Sequence, residues 1–252
     1  MLQSVILSGI PEIAPYDPAI PFDSRNFRDI GNVSTLTYNY DVEQRRLPNS
    51  RTGRGNYATA DRVNEINGQI DMRNLNPQNL ALGLWGAANA VAGGTVSDEE
   101  HVFYGAGTFV MTARMIDTSV APVVEVGATV VDTDDYVVER AGIRFKDTVT
   151  TSGLVADADI TISYTASSVI DVEALISGAP QVSVRLIGED AVSGEPSTAR
   201  FYKVKLGLAG DVSMIGDDFA NLSLSMTIEE DPTIIGTGLS KFLKLQQLGV
   251  AV

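Results

Sequence analysis

The sequence predicts a mainly β fold: two packed antiparallel sheets in a sandwich or barrel-like domain, with one short helix and extended arms at both ends. Three observations predict it. Apolar and polar residues alternate with a period of two in several separate segments. Only one segment carries a helix-start signal. The proline-rich start has little periodicity, and the last twenty or so residues are too few to build a core of their own. A chain of 252 residues is an ordinary size for one large all-β domain. That domain is expected over residues 31–231, between an N-terminal arm at 1–30 and a C-terminal arm at 232–252.

Taken in order, Pro11, Pro15, Pro18 and Pro21 each fix φ and remove a backbone donor, which reads as an extended arm. Its apolar residues Ile6, Leu7, Ile10, Ile13 and Phe22 are candidates for docking on a neighbouring surface. Leu36, Tyr38, Tyr40 and Val42 then alternate with Thr35, Thr37, Asn39 and Asp41, and Ile66, Gly68, Ile70 and Met72 repeat the pattern. The two strands form a long hairpin. Between them, residues 44–62 read as a long loop, of a length that is usually functional. It carries Arg45, Arg46, Arg51, Arg54 and Arg62 against one acid, Asp61, in a chain of formal net charge -14. A cationic finger on an anionic body suggests binding to copies of the same body, so these arginines are candidate inter-subunit contacts.

Asn76 is a good N-cap and Pro77 fits the first helical position; Leu80 and Leu84 share a face with Trp85 as core, and Gly86 can terminate. Gly93-Gly94 and Ser97–Glu100 read as a loop. Alternation resumes at Phe109–Met115, and Val123–Val131, Tyr136–Glu139 and Asp159–Tyr164 are further strand candidates. Val182–Leu186 and Tyr202–Leu206 form a hairpin about a turn at Ser193–Pro196. Leu222, Leu224, Met226 and Ile228 give the cleanest alternation, and Pro232 ends it. The remaining segment, with Phe242, Leu243, Leu245 and Leu248, needs a surface to dock on; Phe242 and Leu245 are its candidate docking residues.

Composition excludes several function classes. A hydrophobic content of 44%, 20% charged residues and a mean hydropathy of +0.07 argue against wholesale disorder. No run approaches the ~18 apolar residues of a membrane span, and Met1–Ile10 lacks the basic start of a secretory signal. Cysteine is absent, which removes disulfides and thiolate sites together. A pI near 4.4 argues against a general nucleic-acid binder, although a wall along which DNA slides needs the same negative charge. His101 is the single histidine and reads as a solvated loop residue, so a Ser-His-Asp site or a multi-imidazole metal site has little to build on. Asp132, Asp134 and Asp135 lack the glycine and distal glutamate of a calcium loop and read as a turn. Glu189-Asp190, Asp217-Asp218 and Glu229–Asp231 read as acidic turns rather than glycosidase carboxylates. No catalytic, metal or cofactor site is expected, and the chain is not read as an enzyme.

The order of features resembles the major tail tube proteins of long-tailed, siphovirus-like bacteriophages. The resemblance rests on Gly31–Ser34 before the first strand, Leu47-Pro48-Asn49 in the loop and Leu75–Leu82 after the second strand. It continues in Phe201–Lys205, Ile215–Phe219 and Glu230-Asp231-Pro232, and covers roughly two thirds of the chain. Residues 117–166 match loosely and are either an extended hairpin or a surface elaboration. The resemblance implies a structural virion protein that self-assembles into stacked hexameric rings, a hollow tube through which DNA is delivered without specific binding. It also implies assembly in the host cytoplasm, a final place in the virion tail, and contacts with tape measure, tail terminator and distal tail proteins. The alternative in another class is a receptor- or carbohydrate-binding β-sandwich module, for which 7% aromatics and one Trp offer little stacking surface.

Overall fold

The computed structural model describes residues 7–51, 55–192, 194–210, 212 and 220–247. Ile6, Arg54, Leu248 and the Ile215–Phe219 motif lie outside them. In chain order the strands are β1 (Leu7–Pro15), β2 (Arg28–Asp29), β3 (Val33–Pro48) and β4 (Asn56–Met72). After helix α1 (Pro77–Gly83) come β5 (Ala87–Val91), β6 (Gly94–Phe103), β7 (Phe109–Met111), β8 (Val123–Val126) and β9 (Thr129–Val130). Then follow β10 (Tyr136–Glu139), β11 (Gly142–Phe145), β12 (Ala158–Ala166) and β13 (Val169–Glu173), and finally β14 (Gln181–Asp190), β15 (Pro196–Leu206), β16 (Leu222–Glu229) and β17 (Leu243–Gln247). The fold is mainly β, with antiparallel sheets and one short helix, as the alternation predicts.

The single domain with extensions divides instead into two compact units, residues 1–88 with 172–252, and residues 89–171. The interval 117–166, left open by sequence, falls inside the second. The chain passes between units through β5 and β13, which pair as a two-stranded sheet.

The first unit is an eight-stranded sheet in the order β2-β1-β14-β15-β16-β4-β3, with β17 also on β15. Ile70 and Met72 of β4, Val182 and Val184 of β14, Phe201 and Val204 of β15 and Leu222 to Ile228 of β16 fill its core. Tyr38 on β3 meets Phe201 on β15 with ring centroids 5.8 Å apart. Three strand spacings separate β3 from β15, about 14 Å in a flat sheet, so the sheet must curl over its own apolar face. Gly68 lies opposite Tyr38. Asn76 caps α1 through Asn79 N–H at 2.8 Å, as predicted. The buried helix positions are Asn79, Ala81 and Gly83, whereas Leu80 and Leu84 are only half-buried. Gly83 is tight against β16, since a Cβ there would stand 2.9 Å from Leu222.

Both expected arms prove to be parts of this sheet. β1 pairs with β14 over nine residues, Leu7 opposite Asp190 through Pro15 opposite Val182, and Ile13 is buried. The prolines concealed this strand without breaking it. Ile30 donates to the Pro11 carbonyl, so the missing donors of Pro11 and Pro15 point toward the two-residue β2, while Tyr16 N–H bonds Gln181 on the β14 side. At the other end Leu243–Gln247 pairs with Ser197–Phe201, and Phe242 packs on the core. Ile10 and Leu245 stay exposed.

A buried ion pair fastens both ends. The Arg25 and Asp231 side chains are 1% and 2% exposed and 3.5 Å apart. Arg25 also donates to the Ser183 hydroxyl at 2.5 Å and to the Tyr202 and Ile20 carbonyls. Its guanidinium lies over the Tyr16 ring, and Phe22 packs on Phe27 and Tyr202. Burial pushes the Asp231 carboxyl up, but hydrogen bonds from Thr233 and Tyr16 and the Arg25 charge outweigh it and hold the group below its ordinary value of 3.8.

The second unit is a sandwich of a three-stranded sheet, β10-β11-β7, and a four-stranded sheet, β6-β12-β8-β9. Its core holds Phe103, Val124, Tyr136, Ile143, Phe145, Ile160 and Ile162. The acidic run Ser97–Glu100, expected as a loop, lies within β6. His101 is correspondingly not a solvated loop residue: its ring is 2.7 Å from Glu99, and its side chain is 19% exposed. Glu99 also accepts from the Tyr164 hydroxyl at 2.6 Å and Ala113 N–H at 2.8 Å, tying β12 and the end of β7 to β6. The turn at Asp132–Asp135 is as expected, but Asp135 is buried and accepts from both N–H and hydroxyl groups of Thr150 and Thr151 at 2.6 to 3.1 Å.

Two substitutions test this division. Asp135→Ala leaves four donors without their acceptor and is expected to cost about 3 kcal/mol, with hydrogen-exchange protection falling in 89–171 and unchanged in the first unit. Arg25→Ala leaves a buried charge unpaired and is expected to cost about 3–5 kcal/mol in the first unit. Because the folded Asp231 carboxyl is held low, its contribution is present above 3.8 and is lost as pH falls through its folded value. The stability gap between wild type and Asp231→Asn therefore narrows on acidification below that point, as read by urea titrations across pH.

Candidate assembly surface

The segment expected as a loop over 44–62 is mostly strand. β3 runs to Pro48 and β4 starts at Asn56, leaving only a short tip. Sequence periodicity missed this because the outer hairpin is exposed on both faces, so no burial pattern marks it. Arg45 and Arg46 lie on β3, Arg62 on β4 and Arg51 in the tip. Arg45 pairs with Glu43 at 3.1 Å, whereas Arg46 bonds its neighbour Gln44 at 2.8 Å and has no ion pair among the described residues.

Register defines two faces. Leu36, Tyr38 and Tyr40 stand opposite Ile70, Gly68 and Ile66 on the core side. The register shift between Asp41 and Val42 leaves Asn64 as the extra residue on β4 and keeps Val42 and Val63 on that same side, with Arg46 further out. The other face is polar. Thr35, Asp71 and Ser223 form one row; Thr37, Gln69 and Ser225 the next; Asn39, Asn67, Thr227 and Lys205 a third. Asp41 faces Glu65, and Lys203 pairs with Glu229 at 2.8 Å. Burial raises the Asp71 carboxyl, but hydrogen bonds from Gln69, Ser223 and Thr35 and the Arg73 charge hold it below its ordinary value.

The edges are as informative as the faces. β3 ends the sheet, so its 16 residues have no partner on the outer side among the described residues. β16 covers β4 only over Asn67–Met72. The hairpin beyond Ile66 is therefore a two-stranded ribbon with both edges unpaired among the described residues, a form that is marginal by itself and open to pairing with another chain. At its root, Tyr40, Val63, Ile66, Ile228, Phe242 and Leu243, together with the polar Asn64, Glu65 and Ser240, line a groove of about 530 Å³.

A second unusual feature sits where α1 ends. Trp85 and Leu175 adopt φ of +50° and +60°, left-handed conformations that cost a bulky residue roughly 1–2 kcal/mol each. Two backbone bonds hold them: Leu175 N–H to Leu84 O at 2.9 Å and Ser177 N–H to Trp85 O at 3.0 Å. The strained segment presents Leu175 and Ile176 at 68% and 60% exposure. The buried Trp85 indole N–H has no hydrogen-bond partner among the described residues.

Nothing in the sequence singled out Leu175 or Arg25, and Asp231 and Glu99 were read only as parts of an acidic turn and a loop, because each matters through a neighbour distant in the chain. Among the described residues no group of three or more His, Asp or Glu is placed to hold a metal ion. The chain belongs to the family described as protein of unknown function UCP028589, whose model matches residues 8–246. No curated protein matches it.

If the Leu175 backbone is strained as its φ indicates, Leu175→Gly is expected to raise stability by roughly 1 kcal/mol, despite removing an apolar side chain. Denaturant unfolding of the two proteins checks this.

Proposed function

We propose that this chain is the structural subunit of a phage tail tube, assembling through its open edges into stacked hexameric rings around a channel for DNA. The observation that carries the reading is the 16-residue outer edge of β3, unpaired among the described residues, with a ribbon beyond Ile66 that no described strand pairs on either side. Natural proteins blunt or cover such edges unless another chain completes them. A head-to-tail contact that closes makes a ring, and ring closure satisfies every edge at once. Arg45, Arg46, Arg51 and Arg62 place positive charge on this ribbon, which meets other copies of a body of net charge -14.

The polar face of β3, β4, β16 and β15 is the surface that fits a DNA channel. Hydroxyls and amides line that face, and its charges are matched: Lys203 pairs with Glu229, the Arg73 charge acts on Asp71, and Arg45 pairs with Glu43. Such a wall offers few cations to replace phosphate counterions, so DNA slides without sticking. The remaining partners, tape measure, tail terminator and distal tail proteins, follow from the resemblance, as does a place in the virion. A second reading draws on the 89–171 sandwich, which presents Tyr104 and Met111 to solvent as a glycan- or receptor-binding module would.

Negative-stain imaging and light scattering of purified protein test the reading. Rings or hollow tubes are expected, and a chain that stays monomeric at high concentration overturns it. Changing Arg45, Arg46 and Arg51 to Glu is expected to leave circular dichroism intact and suppress polymerisation; normal tubes from that variant remove the hairpin from the account.

A further inference from the structure

The strained segment at Leu175 and the groove at the hairpin root lie at opposite ends of one strand. Gly83, at the end of α1, packs against Leu222, and Leu175 is bonded to Leu84 beside it. The groove includes Ile228. Ile228 lies six residue steps along β16 from Leu222, about 20 Å of extended chain. An apolar knob near one end of β16 and a largely apolar groove near the other form a heterologous pair: each copy can offer its knob to the next while accepting one itself.

We propose that Leu175 and Ile176 of one copy seat in the Tyr40–Val63–Phe242 groove of the next, with Glu173 of the first copy facing Arg46 of the second. This rests on the reading that copies assemble and names the contact that joins them. Three observations favour a second copy as the occupant. The knob is held out by backbone strain at Leu175, and strain of this kind persists where a structure is committed to a contact. The groove is formed with the core-side face of the hairpin as it leaves its own body, so it continues an apolar surface that no described residue covers. The charges match as well. Glu173 is exposed two residues before Leu175, and Arg46 lies on the same hairpin face as Val42 and Val63 with no ion pair among the described residues. Two extended residues span about 7 Å, and with both long side chains the carboxylate reaches toward the guanidinium once the apolar residues are seated.

The absence of native cysteine makes this directly testable by cross-linking in the full chain. Ile176→Cys and Val63→Cys proteins, mixed and oxidised with oxidised glutathione, are expected to give a disulfide-linked dimer, and the double variant a ladder. The control pair Ile176→Cys with Val192→Cys, the latter exposed but away from the groove, is expected to give none. Glu173→Arg and Arg46→Glu are each expected to lower the yield of assembled particles, and the two changes in one chain to restore it. Leu175→Gly is expected to lose assembly while remaining at least as stable as wild type, which separates a lost contact from a failed fold. If wild type forms rings or tubes but the Ile176–Val63 mixture links no better than the control, the contact is wrong and the tube reading stands. If wild type remains monomeric at high concentration, both fall.

Discussion

The buried pair of Arg25 and Asp231 is the interaction on which the shape of the sheet depends. Residues 206 positions apart meet at 3.5 Å with almost no solvent contact. Removing two charges from water is expensive, and such a pair is tolerated only where further hydrogen bonds complete it. Here Ser183, Thr233, Tyr16 and the carbonyls of Tyr202 and Ile20 do so. The gain is geometric. The crossing segment between β1 and β2 is clamped over β14 and β15, and the chain after β16 is fixed before it turns back as β17. With both ends used in this way, one side of the sheet finishes in the two-residue β2, while the other remains open along all of β3.

That asymmetry concentrates the unsatisfied backbone in one place. A long edge strand is a hazard for a protein that works alone; the register shifts at Ser34, Asn64 and Tyr57 interrupt its pairing with β4, yet among the described residues no strand covers the outer side of β3. The residues carried there are also unusual for an edge left to water. The core-side face continues outward with Tyr40, Val42 and Val63, all about half exposed, where a solvated ribbon would carry polar side chains. An apolar face and, among the described residues, two unpaired edges on the same ribbon are features that the proposed assembly would complete, and the strain at Leu175 is a third.

Much of this was legible in the amino-acid order, and what was not has physical reasons. β16 was plain because one face is buried and the other wet, the condition under which a period of two appears. The start of α1 was plain because Asn76-Pro77 encodes its cap locally. β1 was hidden by Pro11 and Pro15, whose missing donors matter only if they point into a ladder, and they point away from β14. The outer hairpin was hidden because neither face is buried. The 89–171 unit was hidden because β5 and β13, where the chain enters and leaves it, carry no turn or linker composition. The cationic patch was visible as composition, but its division between two faces depends on the extra residue Asn64, which only register reveals. Buried partners such as Arg25 with Asp231 and Glu99 with Tyr164 cannot be read from either residue alone.

Charge then decides under what conditions such copies associate. Each carries a formal charge of -14, and two approaching bodies repel through many charges spread over tens of ångströms. At an ionic strength of 0.1 M the screening length is about 10 Å, so this diffuse repulsion is largely removed. An ion pair made across an interface, with its charges about 4 Å apart and partly desolvated, is screened much less. Salt therefore weakens the term that opposes association more than the one that favours it, and burial of apolar side chains in the groove does not weaken with added salt. If copies assemble as proposed, light scattering is expected to show association strengthening from low to moderate ionic strength, the reverse of what the same arginines would do if their partner were DNA, whose affinity falls steeply as salt rises.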